Sequence, residues 1–374
     1  MASLLELSHE LLHCIFTSLS PIELSAVSRT CKVLNSYISG NKLLHKDIYL
    51  QRYDQPASDI NWENKTHELI KLEKILESPD RQLKRDALEF AVSRIDFLLD
   101  TCSAGPDSET SQNLQLLQAL FADTTNIDAL LCSSSLFGSV LDDNQTPAPT
   151  EELRQLSAKL HCMYGVPIDE IPTNPEAFSI SRRNISPQHQ HQQQQLSPSS
   201  CTRNRTRPRL THTFARSKVY DLRQYTDASL WGPFRDDGSQ RVDWEKLEAI
   251  MIVLGYNLKE FTKRSDGRFP MIWDEPFVGA TPRSFVSPHP HSLYPKAESH
   301  RGEIEDELLR IREVASDLNS LDPYGVTGTW MRVVCFLDFN DLYAFNFSPG
   351  LRAGDQRPPI DTEEGEFEIP SFEN

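Results

Sequence analysis

Between residues 179 and 213 the chain has no aspartate or glutamate, runs through QHQHQQQQ at 188–195, and carries Arg182, Arg183, Arg203, Arg205, Arg207 and Arg209. A stretch so poor in apolar side chains cannot bury enough surface to offset the entropy of ordering its backbone, and it is read as a disordered Gln/Arg-rich linker. One continuous core cannot then run through the chain, and the remaining residues must organise on either side. On the N-terminal side, residues 62–164 show helical apolar spacing, as in Leu69, Leu72, Ile75, Leu76 and in Leu88, Val92, Ile95, Leu99, and are expected to form a helical spacer. On the C-terminal side, residues 214–348 hold Trp231, Trp244, Trp273 and Trp330, an aromatic supply that argues for a core there. Residues 349–374 form an acidic tail.

Thirty-eight Lys+Arg against 54 Asp+Glu leave a net charge of −16. That balance argues against nucleic acid as a partner, because duplex binding needs a positive footprint, and against docking on an anionic membrane. No run approaches the roughly 18 apolar residues of a membrane span. The N-terminal stretch lacks a basic region ahead of its apolar residues and does not read as a signal peptide. Seven scattered cysteines without a C-x-x-C support neither a disulfide framework nor a zinc knuckle. The expectation is a reduced protein of the cytoplasm and/or nucleus with no membrane partner.

The first 50 residues are leucine-rich and short-helical. Ser8 is placed to cap a helix to about Ser18. Ser20-Pro21-Ile22-Glu23 reads as a capping box with proline at the first helical position, opening a second helix. A third uses Cys31, Leu34, Tyr37 and Ile38. On the first helix the apolar residues Leu7, Leu11, Leu12, Ile15, Phe16 and Leu19 spread over about 180° of arc, where covering one core needs about 100°. Three helices this short are also too small to stand alone without a metal, disulfide or partner. Two explanations remain open from the residues: another protein covers the excess arc, or helices of 62–100 in the same chain do.

LLELSHELLHCIFTSLSPIELSAVSRTCKVLNSYI resembles an F-box over about 35 residues. Leu7, Glu10, Leu11, Leu12, Ile15, Phe16, Leu19, Pro21, Glu23, Leu24, Val27, Ser28, Arg29, Cys31 and Lys32 fall in the register of the family pattern. Ser8 departs from it, standing where the family usually has proline. The resemblance implies a three-helix module at 1–50 that docks on the Skp adaptor of a Skp–cullin–F-box ubiquitin ligase, with the cullin reached through the adaptor. The contacts it implies are Leu7, Ser8, Leu11, Ile15, Phe16, Leu19, Leu24 and Val27. VDWEKLEAIMIVLGYNL and DPYGVTGTWMRVVCFLDFNDLYAFNF are similar to C-terminal regions of uncharacterised fungal F-box proteins, a resemblance that supplies no activity.

The C-terminal block is expected to be an α+β domain. Met331, Val333, Cys335, Leu337 and Phe339 alternate on one face, and Asn340-Asp341 supplies turn chemistry, so Trp330 to Phe347 reads as a β-hairpin. Asp243 is placed to cap a helix from Trp244 to about Leu254, ending near Gly255. Overall the fold class is α+β and multi-domain: F-box, helical spacer, linker at 179–213 and a substrate-binding domain at 214–348. Trp231, Phe234, Trp273 and Phe277 are its candidate anchors for an unknown protein substrate, since aromatic residues are favoured at interfaces.

Catalysis requires a constellation, and none is legible. Phosphate-loop, dinucleotide, nucleophile-elbow and zincin motifs are all missing. The pairs His189/His191 and His289/His291 have a chelating spacing but lie in Gln- or Pro-rich loops without neighbouring carboxylates or cysteines. Ser186-Pro187 and Ser197-Pro198 are candidate phosphorylation sites in the linker. The chain is thus read as a non-catalytic substrate receptor without metal or cofactor. The alternatives are an F-box scaffold outside any ligase and a small-molecule sensor built on the C-terminal β block.

Overall fold

The computed structural model describes residues 4–102, 111–139, 147–165, 207–264, 275–282, 339–348, 352, 354 and 360, and every regular element among them is a helix. The four N-terminal helices are α1 (His9–Thr17), α2 (Pro21–Ser28), α3 (Lys32–Ile38) and α4 (Lys42–Leu50). Local chemistry sets their starts. Ser8 accepts from Leu11 N, Asn41 accepts from Leu44 N, and the Ser20/Glu23 capping box is complete. The expected three-helix module therefore closes with a fourth helix. Its core is Leu12, Phe16, Leu24, Leu34, Ile38, Leu44 and Ile48.

α4 has two apolar sides. Leu44 and Ile48 belong to the first core, whereas Tyr49 joins a larger one with Tyr53 and Trp62. That larger core is built by α5 (Trp62–Glu77), α7 (Leu88–Asp100), α8 (Gln112–Leu120) and α11 (Glu151–Tyr164), with α6 (Arg81–Asp86), the turns Thr124–Asn126 (α9) and Ile127–Leu131, and α10 (Ser135–Ser139) between them. Of the two periodic rows read in the sequence, only Ile75 is left half-buried.

Beyond residue 206, α12 (Arg207–Tyr220) begins inside the stretch expected to be linker, and residues 179–206 lie outside the described residues. α12 packs on α13 (Trp244–Arg264), and α13 packs on α11. Ala215, Ala249, Ile252 and Val253 share a small apolar cluster with Leu136 of α10. Inside the α11–α13 contact, His161 Nδ1 and Glu248 Oε1 are 2.7 Å apart and both side chains are fully buried.

The α+β expectation is overturned. No strand occurs among the described residues, where the only β-type pairing is the isolated bridge Phe234–Val242 around the Gly238 turn. Phe339–Phe347, expected to turn and return as a strand, is a helix, α14; residues 330–338 lie outside the described residues. Apolar residues occur at too many positions of this run for a period of two to be distinguished from a helical one. Tertiary bonds decide between them: Asp341 pairs with Arg216, and Asn346 donates to Tyr220 O and to Leu342 O one turn back. α13 departs from its expected end as well. It starts as read, with Asp243 accepting from Lys246 N at 3.1 Å, but runs through Gly255 to Arg264.

Candidate docking surface

On α1, residues four apart form rows on one side of the helix. Leu12 and Phe16 make the inward row, 7% and 1% exposed, while Leu11 and Ile15 make an outward row, 53% and 38% exposed. The wide apolar arc is therefore two stripes, one filling the module's core and one uncovered. α5 packs against α4 and leaves the outward row of α1 open, so the same-chain explanation does not account for it.

The remaining expected contacts divide. Leu24 is buried with Phe16, Leu7, Leu19 and Val27 are partly buried against the same core, and Ser8 is exposed at the N-cap. A serine in that place accepts from the backbone N–H of Leu11 in the first turn, a bond that proline, with no side-chain acceptor, would not make. Glu10 and Glu23 both lie in first turns. Their carboxyls are held below the ordinary range, Glu10 by backbone and Ser8 hydrogen bonds and Glu23 by those of Ser20.

α1 is held at its first residue and at its middle. Tyr37 on α3 donates to His9 O at 2.9 Å, with its ring stacked on His9 and edge-on to Phe16. His13 Nε2 lies 2.8 Å from Asp47 on α4. The outward row thus stands on a fixed helix. Ile22, Val33 and Leu43 are exposed large apolar residues that the sequence reading passed over. The available signal was that each is followed, one or two positions on, by a buried residue of its helix.

The four candidate substrate anchors do not form one patch. Trp231 is 66% exposed and Phe234 partly buried in the loop between α12 and α13. Phe277 is fully buried, its ring 4.9 Å from Phe121 and 5.4 Å from Tyr164, with its backbone N bonded to Tyr164 O. It is a core residue and presents no surface. Trp273 lies outside the described residues, as do both H-x-H pairs and the two Ser-Pro sites.

Among the described residues no group of three or more His, Cys, Asp or Glu could hold a metal, and no helix is long and apolar enough to cross a membrane. Cys14, Cys31, Cys102 and Cys162 are free thiols; burial pushes those of Cys102 and Cys162 up, away from reactive thiolate. A cleft between α2, α3, α4 and α5 measures about 120 Å³, below the roughly 300 Å³ at which small-molecule pockets begin.

The F-box-like family model matches residues 7–51, the span of α1 to α4. No curated protein and no solved structure matches the chain.

Proposed function

Since this chain is an F-box domain protein, we propose that it is the substrate-recognition subunit of a Skp–cullin–F-box ubiquitin ligase. Its F-box-like segment supports protein interaction through a Skp-type adaptor; the cullin and a protein substrate are the partners this reading adds. The observation that carries it is the coincidence of the matched segment with the outward row Leu11 and Ile15 on an immobilised helix. F-box proteins are in general non-catalytic, and here the lysine chemistry belongs to the conjugating enzyme. This chain contributes proximity by holding the substrate at high effective concentration near the charged thioester. Residues 62–164 and 214–348 present the substrate, and the complex works in the cytoplasm or nucleus. The ligand-sensor alternative rested on a β block whose expected return strand is the helix α14, while residues 330–338 lie outside the described residues.

The test is a pull-down of wild type, Leu11→Asp and Ile15→Asp, scoring the Skp adaptor and cullin together. An unpaired carboxylate trapped in an apolar interface costs several kcal/mol, enough to abolish capture. Both side chains are exposed in the free chain, so circular dichroism should show both variants folded. Adaptor without cullin would favour the scaffold alternative, and wild type that captures neither would end the ligase reading.

A further inference from the structure

The loop from Asp221 to Asp236, between α12 and α13, contains two successive non-glycine residues in the left-handed region, Leu230 at φ 51° and Trp231 at φ 56°. Bulky side chains hold that conformation only where the surroundings over-determine it. Here they do. Trp231 N donates to Thr226 O at 3.0 Å, Leu230 N to Asp227 O at 3.2 Å and Gly232 N to Ser229 O at 3.0 Å. The buried Ser229 hydroxyl accepts from Thr226 N. From α13, the buried Lys246 ammonium donates to Gln224 O at 2.7 Å and Gly232 O at 2.9 Å, clamping both ends of the loop, and sits over the Tyr225 ring. A side chain at Gly232 would meet the Phe234 ring at 3.0 Å.

This rigid frame holds its two large apolar side chains outside: Leu230 is 52% and Trp231 66% exposed. The indole is itself fixed, its Nε1 donating to Asp227 Oδ1 at 2.8 Å. Arginines around the loop are matched with carboxylates, Arg223 with Asp221, Arg235 with Glu151 and Arg241 with Asp237. Asp227 has no cationic partner among the described residues, and Asp236, which accepts from the Thr226 hydroxyl, adds a second exposed carboxylate. An electron-rich indole face beside the Asp227 carboxylate, with the exposed Asp236 also close to Lys246, on a chain of net charge −16, favours a cation.

We infer that the Leu230–Trp231 tip, flanked by Asp227 and Asp236, docks an extended protein segment in which a lysine or arginine adjoins an apolar residue. The cation lies over the indole and the apolar side chain against Leu230. Because the loop is already ordered, little conformational freedom is lost on binding. As a substrate-docking element the tip rests on the receptor reading above; as a peptide-binding site it does not.

The probe is a short dye-labelled peptide of alternating lysine and leucine, followed by fluorescence anisotropy on the full chain, with a glutamate–leucine peptide as its counterpart. Trp231→Ala leaves the net charge unchanged, so it separates docking at the tip from general attraction to an acidic protein. Trp231→Ala is expected to weaken the lysine peptide by about tenfold or more, the usual scale for removing an interface tryptophan. Asp227→Asn should weaken it severalfold, and the glutamate peptide should not bind. Equal affinity of wild type and Trp231→Ala, equal binding of the two peptides, or no binding by wild type would each overturn the inference. Adaptor capture by Trp231→Ala should equal wild type, so failure at the tip and failure of the F-box reading are read separately.

Discussion

His212 shows how a single side chain gives the fold a pH dependence. It is 3% exposed on α12, stacked 3.8 Å from the Tyr256 ring of α13, and its Nε2 has no hydrogen-bond partner among the described residues. Burial first, and then the Arg216 guanidinium one turn on, push its imidazole down to about 4. The unfolded chain takes up this proton near pH 6.5. Between those values the unfolded state binds the proton and the folded state does not, so this contribution is complete above about pH 6.5 and is lost as pH falls towards 4. His212→Phe keeps a ring against Tyr256 and removes the titration. Urea unfolding at pH 7.5 and 4.5 should show the variant losing about 2.5 kcal/mol less than wild type over that interval. An identical loss in both would mean that His212 titrates normally and is not buried.

The element scale is clearest in α13. Glycine near the end of an apolar run usually marks a helix stop, because the capping residue needs positive φ. Gly255 instead lies inside the helix, with no left-handed φ and nothing within 4 Å of an added Cβ. Gly255→Ala should therefore stabilise the protein by about 0.5–1 kcal/mol, the difference between these residues in a helix interior. A thermal melt checks the sign: a lowered midpoint would mean that the chain turns at Gly255 after all. On α2 the capping box works in the opposite sense, and Ser20→Ala should cost about 1 kcal/mol in denaturant titration.

For the whole molecule, the decisive contacts join residues far apart in sequence. The His161–Glu248 pair spans 87 residues and ties α11 to α13 across the stretch outside the described residues. Glu248 Oε2 and His161 Nε2 have no hydrogen-bond partner among the described residues, so the pair is only half satisfied. Removing one member leaves the polar atoms of the other unpaired in a dry interface, and Glu248→Ala should cost about 1–3 kcal/mol. Replacing both, as in His161→Leu with Glu248→Met, should recover much of that loss, since buried polar pairs seldom outperform well-packed apolar ones. A double-mutant cycle in urea measures the difference, and additive losses would show that the two side chains do not interact. If α11 and α13 fold as one unit, the Glu248→Ala transition should stay single and cooperative.

The features readable in the amino acids alone were those completed within a few residues. Ser8, the Ser20-Pro21-Glu23 box and the Asp243 cap satisfy backbone groups of their own first turn, and the rows of α5 and α7 follow from helical spacing. The F-box resemblance is legible for the same reason, being a pattern of such local signals. Burial is a different kind of fact. Leu11 and Leu12 are 100° apart on one helix, and which of them faces inward depends on where α3 and α4 lie. Trp231 and Phe277 read alike in the sequence as candidate anchors, until Phe121 and Tyr164 enclose Phe277 and a clamped loop holds the Trp231 ring outside. α14 carries too little period to declare itself; Arg216 and Tyr220, more than 100 residues away, make it a helix. Caps and spacing are written into neighbouring residues, whereas the choice between core and surface belongs to partners that only the folded chain brings together.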